Sequence, residues 1–191
     1  MAVADLRRFA AELAELRRDC AALVQDLEPQ SAGWRPAQGG WSVAQVIAHL
    51  RTTDALYADA MRRAMDRSDR GASDRDEPHR PSLFGGWLTR MMSSPRRLPA
   101  PRVFRPPTEG ALEWPLELER YRAGQDVMEG LVSDAAGVGL NRTRLASPVS
   151  PLVRINLGDA FAVCLAHGRR HMDQIRRLRS LPDFPKAPPT D

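Results

Sequence analysis

Two histidines near the C-terminus, His167 and His171, stand four residues apart in the stretch GDAFAVCLAHGRRHMDQIRRLRS, residues 158–180. Side chains at this spacing share one face of a helix, so one helix can offer both imidazoles to a single metal ion. Zinc proteases of the H-E-x-x-H type place a glutamate directly after the first histidine. Gly168 stands there in this chain, which disfavours protease activity.

The helix that carries this pair holds both histidines on a stripe that is typical of a protein core. The stripe recurs in steps of four and three residues and consists of Ala160, Cys164, His167, His171, Gln174 and Leu178. The opposite face carries arginines. We therefore expect the two imidazoles to point into the protein.

A third histidine, His49, lies on the inner face of an earlier helical pattern, VAQVIAHL. The three inward histidines can be separate core residues that each have a hydrogen-bond partner, or they can share one cation. A buried unpaired imidazole costs about 1–3 kcal/mol, and a shared cation would remove that cost for all three. Zinc, nickel and iron all accept three nitrogens, and three protein ligands leave a position open for water or substrate. The fourth histidine, His79, is expected in solvent.

Apolar periodicity predicts four long helices that position these residues. They cover about residues 3–27, Ser42 to 66–70, Trp114 to the glycines of AAGVGL, and 156–180. Ser42 followed three residues later by a glutamine has capping-box spacing. No strand alternates clearly, although a short pairing around residues 149–153 remains open. The pattern predicts an all-α helix bundle.

A segment of about forty residues, 67–107, separates the second and third long helices. It is charged at first, then reads SLFGGWLTRMM, which predicts a short helix or an apolar plug, and then becomes proline-rich. We interpret it as a long crossover and a candidate lid rather than a second domain. Residues 1–182 are thus predicted to form one domain, and residues 183–191 a disordered tail.

Composition restricts the classes of partner. The formal net charge is +4, and Lys186 is the only lysine among 28 basic residues. The segment 90–105 holds five arginines and no acid, but aromatic residues for stacking are few there, so nucleic-acid binding is disfavoured. The N-terminus lacks the apolar core of a signal peptide, and no apolar run could span a bilayer. We expect a cytoplasmic protein with no membrane partner, and cysteines Cys20 and Cys164 that form no disulfide.

Two motifs resemble those of the DinB/YfiT-like superfamily of metal-binding four-helix bundles. The first is W-x-P-x-x-G-G-W-S-V-A-Q-V-I-A-H-L at residues 34–50, and the second is H-G-R-R-H-M-D-Q-I at residues 167–175. Their order, their spacing and the long crossover also agree, so the likeness covers most of residues 3–180. The family name does not refer to the DNA polymerase.

The resemblance implies an up-down-down-up four-helix bundle, often a homodimer, that binds a divalent metal through His49, His167 and His171. Some relatives are bacillithiol transferases or mycothiol-dependent maleylpyruvate isomerases, and many others have no established reaction. Relatives tend to carry His-Pro before the last helix, where this chain has Ser147 and Pro148. The crossover at 67–107 is a second departure that could reshape or cover the site.

Two functions follow as hypotheses. In the first, the protein is a metal-dependent enzyme of the thiol-dependent transferase, isomerase or hydrolase type, acting on a small molecule. The candidates for holding an anionic substrate group are Arg170, Arg96, Arg97 and Arg102. The candidates for supporting the ligands are Asp54, Asp173 and Gln174, and Cys164 lies one turn before His167. In the second, the protein binds metal without catalysis, as a stress-related interaction protein. No catalytic residue is assigned.

Overall fold

The computed structural model describes residues 2–69, 77–94, 99–107 and 112–185. Its elements are α1 (Ala2–Val24), α2 (Pro29–Gly33), α3 (Val43–Asp66), α4 (Leu83–Met92), a 3-10 turn (Arg102–Phe104), α5 (Trp114–Asp134), β1 (Arg144–Ser147), β2 (Ser150–Asn156) and α6 (Leu157–Arg179). The described chain is therefore mostly helical, which confirms the prediction at the level of fold class.

The two helices that carry the histidines begin at capping boxes. At the start of α3 the Ser42 side chain accepts a hydrogen bond from the Gln45 backbone, and the Gln45 side chain accepts one from the Ser42 backbone. Asn156 and Asp159 make the same reciprocal pair at the start of α6. Each box satisfies two N–H groups that a helix start leaves unpaired, so local sequence sets where these helices begin.

The four longest helices contact one another in four pairings: α3 packs against α5 and α6, and α1 packs against α6 and α5. Their buried side chains form two apolar clusters. One includes Phe9, Met61 and Phe161, and the other includes Ile47 and Met172. This apolar burial is the main source of stability for such a packing of helices.

A set of buried polar residues lies at or beside the boundary between the two clusters. We call it the polar layer, and it consists of His49, Thr53, Asp54, Gln125, His167 and His171. On α6, for example, Leu165 belongs to one cluster, Met172 belongs to the other, and both histidines lie between them. A buried polar group is costly unless it is partnered, so the partners of these residues decide what the layer costs in stability.

A short antiparallel hairpin precedes α6. β1 and β2 pair Arg144 with Asn156 and Leu145 with Ile155, and the register shifts after Ala146. Leu145 and Ile155 face the apolar core. The pairing that the sequence left open around residues 149–153 thus exists: it begins at Ser150, the first residue of β2, and continues to Asn156.

The predicted crossover contains α4, which packs against α6 and β2, and the 3-10 turn, which contacts α3. The SLFGGWLTRMM stretch forms a short helix, one of the two predicted alternatives. Residues 70–76, 95–98 and 108–111 lie outside the described residues, and so does the predicted tail from residue 186 on. Phe184, at the start of that tail, is buried against Trp34.

The expectation that His79 lies in solvent was wrong. Its side chain is 4% exposed, and its Nε2 lies 3.2 Å from Oδ1 of Asp159. The Ser82 hydroxyl donates to the same carboxylate over 2.6 Å. Burial alone would raise the pKa of Asp159, but hydrogen bonds from His79, Ser82 and the Asn156 backbone together hold that pKa below its usual value. We call these contacts of His79 and Ser82 with Asp159 the clasp. They join the segment before α4 to the first turn of α6.

The clasp leaves no room for a side chain at Gly158. A Cβ there would lie 2.2 Å from Cδ2 of the buried His79 ring. We expect Gly158→Ala to lower the free energy of unfolding by about 1–3 kcal/mol, because a tightly packed site must shift to accept the methyl group. Urea unfolding of the metal-free protein measures this.

Gly124→Ala is the matched control, because a Cβ at Gly124, inside α5, meets nothing within 4 Å. Alanine replaces a flexible residue there, so the control should stabilise the protein by about 0.5–1 kcal/mol. If the two substitutions changed the free energy of unfolding equally, the tight packing of His79 against Gly158 would be contradicted.

Both cysteines, Cys20 and Cys164, are buried free thiols. Among the described residues, no helix is both long enough and apolar enough to cross a membrane.

Candidate metal centre

The three predicted ligand histidines come together at one point between α3 and α6. One ring nitrogen of each lies within 4.8 Å of the others, and all three side chains are buried. Nε2 of His167 is 3.1 Å from Nε2 of His49 and 3.1 Å from Nε2 of His171. Three nitrogens bound to one tetrahedral zinc ion lie ~3.3 Å apart, given the usual zinc–nitrogen distance. The spacing therefore suits one shared ion.

The outer nitrogens of two rings set which tautomer each histidine adopts. Nδ1 of His49 lies 2.6 Å from the carbonyl oxygen of Phe104, and a carbonyl can only accept, so this Nδ1 carries the proton. Nδ1 of His171 lies 2.8 Å from Oε1 of Gln174, which likewise accepts. In both rings the Nε2 lone pair then faces the shared point, which is the arrangement that a metal ligand needs.

A count of protons shows that the histidines cannot satisfy one another. Nε2 of His49 and Nε2 of His171 both need a donor, and among the described residues the donor that contacts them is a single N–H of His167. If His167 donates from Nε2 it can bond well to one neighbour only, and its own Nδ1 is buried with no hydrogen-bond partner. At least one buried lone pair therefore stays unpaired without a cation. The residues fit a divalent metal better than they fit a network of hydrogen bonds.

Burial also keeps these imidazoles neutral. Desolvation lowers the pKa of His171 to about 3 and lowers that of His49 as well. Desolvation lowers the pKa of His167 far below its usual value, and the neighbouring His171 and His49 lower it further. A metal binds the unprotonated ring, so at neutral pH no proton has to leave before an ion binds.

Aromatic and hydroxyl groups surround the histidines. The Trp41 ring lies 4.8 Å from the His49 ring, centre to centre, and stacks on the His171 ring at 6.3 Å. The Thr53 hydroxyl donates to the His49 carbonyl. The Trp41 ring thus packs against two of the three imidazoles and restricts their movement.

A cavity of about 220 Å³ adjoins the three histidines, and we call it the histidine cavity. Side chains of α3 and α6 line one side, and residues of α4 and of 99–104 line the other. Two described parts of the segment between α3 and α5 thus form part of the cavity wall. The Phe104 carbonyl that orients His49 is part of this wall, and its role is invisible in the sequence because a main-chain carbonyl carries no residue signal.

The other predicted site residues are placed as follows. Gln174, a predicted supporting residue, contacts Nδ1 of His171 through its side-chain oxygen. Asp173 is exposed and pairs with Arg176, while Asp54 accepts a hydrogen bond from Gln125 and does not contact a histidine. Cys164 lines the histidine cavity but does not belong to the group of converging ligand atoms, and burial raises the pKa of its thiol well above the usual value.

The predicted anion-binding arginines also differ in placement. Arg170 lines the histidine cavity, and its Nη1 donates to the carbonyls of Met92 and Ser94. Arg102 is exposed, in the 3-10 turn. Arg96 and Arg97 lie outside the described residues.

Comparison with known proteins agrees with this architecture. The model of the DinB superfamily matches residues 12–175, which include all three converging histidines. The chain belongs to the DinB superfamily. This confirms the resemblance that the motifs at 34–50 and 167–175 indicated. In this DinB protein the first motif covers the turn before α3 and the first turns of that helix, and the second lies in the second half of α6. No curated protein and no solved structure matched the chain.

Proposed function

We propose that His49, His167 and His171 bind one divalent metal ion, either zinc, nickel or iron, and that the protein is a metal-dependent enzyme. The observation that supports this most is the convergence of three buried Nε2 atoms, two of them held as lone-pair donors, at the edge of a cavity. Three protein ligands with open space beside them are the arrangement of catalytic rather than structural metal sites.

The reaction class we propose is that of the family's enzymes, a transfer or isomerisation that depends on a low-molecular-weight thiol, with hydrolysis as the related chemistry. A bound divalent ion supplies Lewis acidity, which lowers the pKa of a thiol or water beside it. This chain's own residues hold the ligands in one orientation, through Phe104 and Gln174, and exclude bulk water through the crossover.

Tyr57 also lines the histidine cavity, on the same helix as His49. Burial raises the pKa of its phenol above the usual value, so the hydroxyl stays protonated and can donate a hydrogen bond to a substrate. We propose it as a positioning residue for the substrate. If Tyr57 positions the substrate in this way, Tyr57→Phe should raise KM and leave kcat nearly unchanged.

The finer fold is part of the same proposal. We propose an up-down-down-up four-helix bundle of α1, α3, α5 and α6, with the crossover between the second and third of these. Its support is the set of four helix pairings and the position of α4 over the site. A homodimer in the cytoplasm remains a prediction.

Metal content and turnover test the proposed function together. The purified protein should hold about one equivalent of metal, and His49→Ala and His171→Ala should hold little. The metal-loaded protein is then offered low-molecular-weight thiols with an electrophile such as 1-chloro-2,4-dinitrobenzene. Thiol consumption that depends on the metal supports the enzyme. Metal binding without any thiol-dependent or hydrolytic reaction would favour the non-catalytic alternative instead.

The support that Gln174 gives to His171 can be measured separately. We expect Gln174→Leu to weaken metal affinity by about 10–100-fold, because His171 loses the acceptor that holds its ring and tautomer. Competition with a chromophoric chelator measures the affinity. Gln174→Glu keeps an acceptor and should stay close to wild type, and Asp173→Asn, one residue away and exposed, should have no effect. An unchanged affinity in Gln174→Leu would show that the contact is incidental.

A further inference from the structure

The histidine cavity is elongated along α3. Its wall on this helix is made by His49, Thr53 and Tyr57, which follow one another at steps of four residues on one face. Eight residues of α-helix rise about 12 Å, so the cavity extends roughly this far from the metal-binding end. A ligand that places one end at the histidines therefore has a body that lies along the groove between α3 and α6.

The opposite wall, which we call the roof, is formed by the crossover and is apolar. Its side chains are Leu88, Met91 and Met92 from α4, with Pro99, Pro101 and Phe104 from the segment before α5. The two methionines are partly buried, and their unbranched thioether side chains can adapt to ligands of different shape. Val149 and Val163, which are also apolar, complete the apolar part of the lining.

Charge is nearly absent from this lining. No acidic side chain lines the cavity among the described residues, and Arg170 is the one arginine that does. Its Nη1 donates to the main-chain carbonyls of Met92 and Ser94, at the end of α4. This guanidinium thus helps to hold the roof on α6. A charged group beneath the apolar side chains of the roof would lose its hydration, and the guanidinium of Arg170 already donates to roof carbonyls.

We infer that the substrate of this site carries an uncharged, apolar body, either an aliphatic chain or an aromatic ring system, that lies beneath the crossover while its polar reacting end lies at the histidines. The inference rests on the proposed function, because it names the substrate class of that same site. It departs from the expectation that arginines of the crossover hold an anionic substrate group.

The size of the cavity sets the size of this body. A dry apolar cavity of about 150 Å³ holds a benzene molecule. The histidine cavity, at about 220 Å³, accepts a body somewhat larger than benzene. Straight-chain carboxylates from butanoate to decanoate are suitable probes, since the carboxylate can lie at the metal-binding end and the chain length varies alone.

The first experiment measures the affinity of this series for the zinc-loaded and the metal-free protein by isothermal titration calorimetry. Each added methylene should tighten binding about fourfold until the cavity is full, as expected for burial of a CH₂ group. Octanedioate, which adds a charge at the far end, should bind at least about 10-fold more weakly than octanoate. Octanedioate binding equally well or better would overturn the inference and favour an anionic substrate.

Two variants locate the binding site beneath the roof. Met91→Asp places a charge in the cavity wall and should weaken octanoate binding at least about 10-fold, whereas Leu83→Asp, on the same helix but 96% exposed, should not. Ala100→Trp fills part of the cavity, so the affinity should stop rising with added methylenes at a shorter chain length than in the wild type. If either cavity variant binds the whole series as wild type does, the chain does not lie under the crossover.

The two proposals can fail separately. Zinc binding at one equivalent with no gain per methylene would leave the metal site intact and overturn the apolar body. If the protein bound no zinc, yet its affinity for the carboxylates still rose with each methylene, the proposed function would be overturned. The cavity would then remain as an apolar ligand site.

Discussion

Zinc should raise the melting temperature of the metal-free protein by roughly 8–16 °C when its concentration is a thousand times its dissociation constant. Binding to the native state alone then stabilises by about 4 kcal/mol, and each kcal/mol shifts the melting temperature of a chain of this size by about 2–4 °C. The structural reason is the unpaired Nε2 lone pair among three buried histidines, which a cation satisfies. Differential scanning fluorimetry with and without a chelator measures the shift.

His167→Ala should abolish this shift, because His167 is the ring whose Nε2 lies 3.1 Å from both partners. The matched control is His79→Gln, which removes the chain's fourth histidine from the clasp on α6. Its baseline melting temperature should fall, yet the increase caused by zinc should stay at the wild-type size. A zinc effect that survives in His167→Ala would mean that the ion binds elsewhere.

Asp54→Asn should stabilise the metal-free protein by about 3 kcal/mol more at pH 8 than at pH 4.5. Asp54 is buried beside Gln125, and desolvation raises the pKa of its carboxyl from 3.8 to about 7. The folded protein therefore binds a proton that the unfolded chain has lost between these two pH values. Stability contributed by the protonated acid is fully present below the unfolded pKa and declines as pH rises toward 7.

Asparagine can accept the same hydrogen bond from Gln125 and never ionises, so the variant escapes this decline. Urea unfolding at both pH values, with chelator present, measures the difference between variant and wild type. The control Asp59→Asn changes an exposed carboxylate on the same helix. Its difference from the wild type in free energy of unfolding should therefore be almost the same at both pH values. Should Asp54→Asn lose stability at pH 8, the carboxylate would be ionised and paired in the folded state.

The effect of zinc and the effect of Asp54→Asn both concern the polar layer, and together they measure how much stability its buried polar groups cost. The histidines and Asp54 place polar atoms inside an apolar core, and such burial lowers stability wherever a partner is missing, as at Nδ1 of His167. For the histidines the proposed metal supplies the missing partner. For Asp54 the structure shows one amide donor from Gln125, and burial keeps the acid protonated over most of the acidic range.

The sequence alone determined the local features of this protein. The capping box at Ser42 and the helix start at Asn156 could be recognised because the hydrogen bonds involved join residues three apart. The shared direction of His167 and His171 could be recognised because helix geometry places residues four apart on one face. Interactions of this range depend on the sequence within one or two turns and hardly on the rest of the chain.

Contacts between distant segments were decided by the tertiary structure. The approach of His49 to His167 joins residues 118 apart, and the Phe104 carbonyl meets His49 across 55 residues. Only packing of the crossover on α3 and α6 produces the roof of the histidine cavity, and only the fit of His79 against Gly158 buries a residue whose charged surroundings in sequence suggested solvent. Periodicity shows which face of a helix is buried, but it does not show what the face is buried against, because that depends on how all the helices pack together.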